Sequence, residues 1–79
     1  MEIKVVLFGL LEDLFKTKEL IVSLVEFDDE LNLTIFLKNK YPELEGYSFS
    51  IAIGNEIRDV LKKEDGIPII SLFPPFAGG

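Results

Sequence analysis

The chain has 79 residues, 48% of them apolar, with 8 Lys+Arg against 14 Asp+Glu and a net charge of −6. A domain of that length buries roughly 60% of the surface its unfolded chain exposes, enough for one small core but not for a large catalytic cavity. The absence of Cys, His and Trp excludes disulfides, thiol nucleophiles, Cys/His zinc sites and imidazole acid–base chemistry. A pI near 4.5 disfavours nucleic acid as a partner, because too few cations are present to neutralise a phosphate backbone.

Residues 2–8 read as a strand, with Ile3, Val5 and Leu7 on one face and Val6 and Phe8 on the other. Gly9 breaks it, and residues 10–16 leave room for a turn or a short helix. A second strand is expected over 19–27, where Leu20, Val22 and Leu24 alternate with Ile21, Ser23 and Val25. The short connection makes the two an antiparallel pair. Asp28 or Asp29 is placed to cap a helix. Its apolar stripe is Leu33, Phe36, Leu37 and Tyr41, Lys38 and Lys40 lie near its end, and Pro42 stops it. A buried strand over 31–37 is the competing reading.

Phe49, Ile51 and Ile53 alternate with Ser48, Ser50 and Ala52 as a third strand, ended by Gly54-Asn55. Residues 56–65 hold a short strand and a turn closing at Asp65-Gly66. The last strand is expected over 67–73, with Pro68 tolerated near its start. That order fits an α+β fold, a sheet with one main helix covering one face. Phe8, Phe27, Phe36, Phe49 and Phe73 fall on element faces and are expected in the core.

The most apolar run, residues 5–11, is far short of the ~20 needed to span a bilayer. It also lacks a basic leader and cleavage site, so a cytoplasmic location and no membrane partner are expected. Glu12-Asp13, Asp28-Asp29-Glu30 and Glu43/Glu45 read as solvated loops and helix caps rather than metal ligands or paired catalytic acids. Lys62-Lys63-Glu64-Asp65 reads as an exposed turn. Arg58, the only arginine, is expected to be solvated, with an acidic neighbour as the alternative.

The chain ends Pro74-Pro75-Phe76-Ala77-Gly78-Gly79. From average composition, Pro-Pro followed closely by a terminal Gly-Gly arises by chance on the order of once in 10⁵ chains. Pro74-Pro75 restricts φ and sends the chain out in an extended direction. Gly78 and Gly79 carry no side chain and can thread a narrow channel in another protein. The carboxylate at the end is ionised at neutral pH and is a poor electrophile. It can react only after activation, for instance as an acyl-adenylate, and glycine leaves that carbonyl open to a nucleophile. Phe76 lies beyond the sheet and is expected to be an exposed anchor for a partner.

This tail resembles the Pro-Pro-x-x-Gly-Gly ending of the molybdopterin synthase small subunit, the MoaD-type sulfur carriers of the ubiquitin-like β-grasp superfamily. The first strand ending Leu7-Phe8, the helix ending Tyr41-Pro42-x-Leu44, Asn55 and Asp65-Gly66 have counterparts there. The resemblance implies a β-grasp domain over 1–75, with a mixed sheet of four to five strands packed on one helix. A flexible extended tail over 76–79 would follow it.

The family's chemistry would make Gly79 the reacting residue. A ubiquitin-activating-type adenylyltransferase would adenylate it, and a sulfurtransferase would convert it to a thiocarboxylate. Pro74, Pro75, Phe76, Ala77 and Gly78 would then guide the tail into the large synthase subunit, where sulfur passes to cyclic pyranopterin monophosphate. The resemblance further implies a heterotetramer, no bound cofactor, and catalytic residues on the large subunit rather than on this chain. The alternative reading is a ubiquitin-like protein modifier, or a sulfur carrier for thiamine synthesis or tRNA thiolation.

Overall fold

The computed structural model of the chain describes residues 1–75. Five strands form a mixed sheet in the order β2 (Glu19–Ser23), β1 (Glu2–Leu7), β7 (Ile70–Phe73), β4 (Ser50–Ile53), β5 (Glu56–Ile57). β1 (Glu2–Leu7) follows the expected alternation: Ile3, Val5 and Leu7 are buried, while Phe8 on the opposite face is exposed. The short helix α1 (Leu10–Phe15) occupies the turn after Gly9 and buries Leu11. β2 (Glu19–Ser23) returns antiparallel to β1 in the register Ile3↔Val22 and Val5↔Leu20. It is shorter than the sequence pattern predicts because β1 offers no partner beyond Glu2. The Leu24 N–H donates to the Met1 carbonyl (2.8 Å) and closes the ladder.

The expected aspartate cap is not the one used. Residues Glu30–Asn32 form β3, which pairs antiparallel with β6 (Val60–Lys62) in a separate two-stranded sheet. The main helix α2 (Leu33–Lys40) therefore starts later, and Asn32 caps it by accepting from the Ile35 N–H at 3.0 Å. Asp28 and Asp29 are exposed in the bend before β3. The helix reading holds over 33–40, with Leu33 and Leu37 fully buried against the sheet and Tyr41 and Phe36 at the core margin. A 3₁₀ turn, Pro42–Gly46, buries Leu44 and carries the chain to β4 (Ser50–Ile53).

β4 pairs with the two-residue edge strand β5 (Glu56–Ile57) across the Gly54-Asn55 turn. β7 (Ile70–Phe73) begins three residues later than predicted, and Ile67 and Ile69 ahead of it are exposed. Pro68 lacks the N–H that an earlier start would need.

Every buried side chain among the described residues is aliphatic, and no polar group is buried. The five phenylalanines expected in the core are instead peripheral. Phe27, Phe36 and Phe49 lie half-buried at its margin, Phe73 is half-buried, and Phe8 is 43% exposed. Aliphatic side chains fill the core, and the rings cover its rim. Among the described residues no helix is long and apolar enough to cross a membrane.

Candidate functional site

The candidate site begins where β7 ends. This strand is the middle one of five, with β1 parallel on one side and β4 antiparallel on the other. Leu72 is paired with both Leu7 and Ile51. Ile70 and Leu72 point into the core and are fully buried, while Ser71 and Phe73 alternate onto the outer face. Double pairing and alternate burial anchor β7 firmly, as they do its neighbour β1. Pro74, half-buried, and Pro75, exposed, take the chain off the end of the sheet. Phe76, Ala77, Gly78 and Gly79, the rest of the candidate set, lie outside the described residues.

At this root the structure adds residues that sequence reasoning had assigned to the core. The Phe8 N–H donates to the Leu72 carbonyl at 3.2 Å, extending the β1–β7 pairing by one residue. The Phe8 and Phe73 rings are then adjacent on the outer face and stack with centroids 5.0 Å apart and planes 11° from parallel. The signal was present in the alternation of β1, which puts Phe8 on the same face as Val6 and opposite Ile3, Val5 and Leu7. The register continues this outer face as a row Val6–Ser71–Ala52–Ile57. Ile57, at the far edge, is exposed.

Arg58 behaves differently from the solvated residue expected. Its guanidinium donates from Nη1 and Nη2 to the two carboxylate oxygens of Asp65 (2.9 and 2.7 Å), and Nη1 also donates to the Val60 carbonyl at 2.8 Å. Asp65 accepts in addition from the Lys62 backbone N–H at 2.7 Å. The hydrogen bonds from Arg58 first, and from Lys62 second, hold the Asp65 carboxyl well below the usual carboxylate range, at about 2, against a smaller opposing effect of burial. The same partner raises the Arg58 pKa. The sequence placed both residues in exposed segments; a fork-to-carboxylate pair across seven positions joins them instead. It closes the loop between β5 and the turn at Lys63–Asp65 and has no contact with the root of the tail.

The remaining acidic runs gather into no set of three or more side chains able to hold a metal ion, among the described residues. A shallow cavity of about 280 Å³ lies between Met1, Leu24, Val25, Phe27 and Lys63. It is at the opposite end of the sheet from Pro74, since β1 and β7 run parallel and Met1 precedes β1. No family model matches this chain, and comparison with curated proteins finds no match either. The fold is thus a small α+β domain with a mixed five-stranded sheet and one main helix, an architecture compatible with a β-grasp.

Proposed function

We propose that this protein is a sulfur carrier of the molybdopterin synthase small-subunit type, with Gly79 as the terminal residue of its active form. One observation carries the reading: the central strand of the sheet, paired on both sides, runs directly into Pro74-Pro75, the start of the Pro-Pro-x-x-Gly-Gly sequence. A domain built this way holds the base of a short tail rigidly and offers its end to other proteins. It has no nucleophile or general base of its own among Cys and His, so the chemistry falls to the partners.

In that role a ubiquitin-activating-type adenylyltransferase joins the Gly79 carboxylate to AMP and releases pyrophosphate. The terminal sulfur of a persulfide on a sulfurtransferase displaces AMP to give an acyl disulfide, and a thiol then cleaves its S–S bond and leaves a thiocarboxylate. The large synthase subunit then takes that sulfur for cyclic pyranopterin monophosphate, and water restores the carboxylate. The stacked Phe8–Phe73 pair beside the root, with exposed Ile57 at the edge of the same face, offers these partners a surface to grip. The reading implies a cytoplasmic protein, because its partners and nucleotide work there.

Intact mass of the protein isolated from its native cells tests the proposal. Replacement of one oxygen by sulfur at the C-terminus is the expected finding. Isopeptide adducts through Gly79 would establish the modifier reading instead, and a terminus that is unmodified under all conditions would leave the tail without chemistry. Deleting Gly79 should abolish charging while the fold persists.

A further inference from the structure

We infer that Gly9 is a positioning residue for the tail: its bare Cα seats the Pro74 ring against the β1–α1 turn and fixes the line along which the chain leaves the sheet. The use of that line, though not its geometry, rests on the carrier reading above.

Three described glycines have positive φ: Gly9 at 58°, Gly54 at 59° and Gly66 at 70°. Gly9 and Gly66 also share ψ, −130° and −126°, a combination open essentially to glycine alone, so these two carry the same backbone reason for being glycine. They differ in what surrounds them. A Cβ built on Gly54 or Gly66 meets nothing within 4 Å, whereas on Gly9 it would lie 2.9 Å from Pro74 Cγ and 3.5 Å from Pro74 Cδ. A contact of 2.9 Å is closer than a methyl group tolerates, so one of the two residues would have to shift.

Neither can do so easily. The Pro74 ring is closed onto its own backbone, so beyond a change of pucker its atoms move only with the chain. The residue before it is pinned by pairing with Ser50 and by the stack on Phe8. On the other side, the Gly9 carbonyl accepts from the Glu12 and Asp13 N–H groups at 3.1 and 3.4 Å, which ties it to the first turn of α1. Phe8 and Gly9 thus hold Phe73 and Pro74, two consecutive residues by two consecutive residues. Four residues follow Pro75 and reach at most about 14 Å when extended. A shift of Pro74 moves the root from which the tail leaves, and misplacing a reacting group by 1 Å can cost on the order of 10²-fold in rate.

The test compares Gly9→Ala, Gly66→Ala, Pro74→Ala and the double variant Gly9→Ala/Pro74→Ala. Each is assayed for ATP–pyrophosphate exchange with the ubiquitin-activating-type adenylyltransferase of the source cells, and for urea unfolding. Gly66→Ala shares the backbone penalty but stands clear of the tail. We expect Gly9→Ala to lower kcat at least tenfold below Gly66→Ala, with KM changed less than threefold and similar unfolding midpoints. Removing Cγ and Cδ in the double variant should recover at least fivefold of that loss. In the native protein an NMR Overhauser contact between the Gly9 Hα atoms and the Pro74 ring should be present.

Equal kcat for Gly9→Ala and Gly66→Ala, no recovery in the double variant, or absence of the Overhauser contact would each overturn the role of Gly9. If Gly9→Ala alone does not fold, folding of the double variant supports the contact, and failure of both to fold overturns it. A native protein that shows the contact but is never charged overturns the carrier reading, and with it the use assigned to Gly9.

Discussion

Replacing Phe8 and Phe73 by leucine, singly and together, measures how firmly the tail is rooted. Rings with centroids 5.0 Å apart and planes 11° from parallel stabilise a fold by about 0.5–1.5 kcal/mol beyond their area burial. Phe8 is 43% exposed, so solvent competes for one side of the pair and the lower half of that range, about 0.5–1 kcal/mol, is expected. Leucine keeps the apolar contact and removes the stacking, so the coupling energy of the cycle isolates the ring–ring contribution. Unfolding entropy of about 2.1 cal/mol/K per residue gives roughly 0.17 kcal/mol/K for a chain of this length. The coupling should therefore appear as a departure from additivity of about 3–6 °C in Tm. Since the protein has no Trp, urea and thermal unfolding are best followed by far-UV circular dichroism. Coupling below about 0.3 kcal/mol, within the usual additivity error of independent sites, would refute the claim that the two rings act as one clasp.

Two further outcomes follow from the packing and the ion pair. Leu37→Ala, at a fully buried position on α2, should cost about 2–5 kcal/mol, whereas Ile35→Ala, 60% exposed on the same helix, should stay within about 0.5 kcal/mol. Equal shifts in the urea midpoint would mean that the helix presents a different face to the sheet. The Asp65 carboxyl is held at about 2, below its ordinary 3.8. Its contribution is therefore fully present above the ordinary value and is lost as the pH falls through about 2. Asp65→Asn should show a smaller drop in unfolding midpoint than the native protein between about pH 4 and pH 2, and parallel profiles for the two would contradict the pairing with Arg58.

The sheet strands and the main helix were legible because period-two alternation and an i, i+3, i+4 stripe are local signals. What escaped depended on partners distant in sequence. Asn32 caps α2 because residues 30–32 are claimed by β6, some thirty positions later. Asp28 and Asp29 are equally good caps by type but lie ahead of β3 and not at the helix start. Arg58 and Asp65 each look like ordinary surface residues until the loop brings them together. The phenylalanines were misassigned because apolar character was equated with the interior, although alternation in β1 already set Phe8 opposite the buried face. At the candidate site, Pro74 and Pro75 were legible from their own chemistry, whereas the partnership of Gly9 with Pro74 required the parallel pairing of β1 and β7, which only the closed sheet reveals.

That parallel pairing has a mechanical consequence. If another protein hauls on the chain beyond Pro75 while the body is braced at its N-terminal end, the load runs along β7 and opposes β1 lengthwise. The hydrogen bonds between the two strands then bear the force together instead of parting one after another, as they would if β7 were an edge peeled from its end. Traction applied through the tail would therefore meet the sheet in its toughest direction.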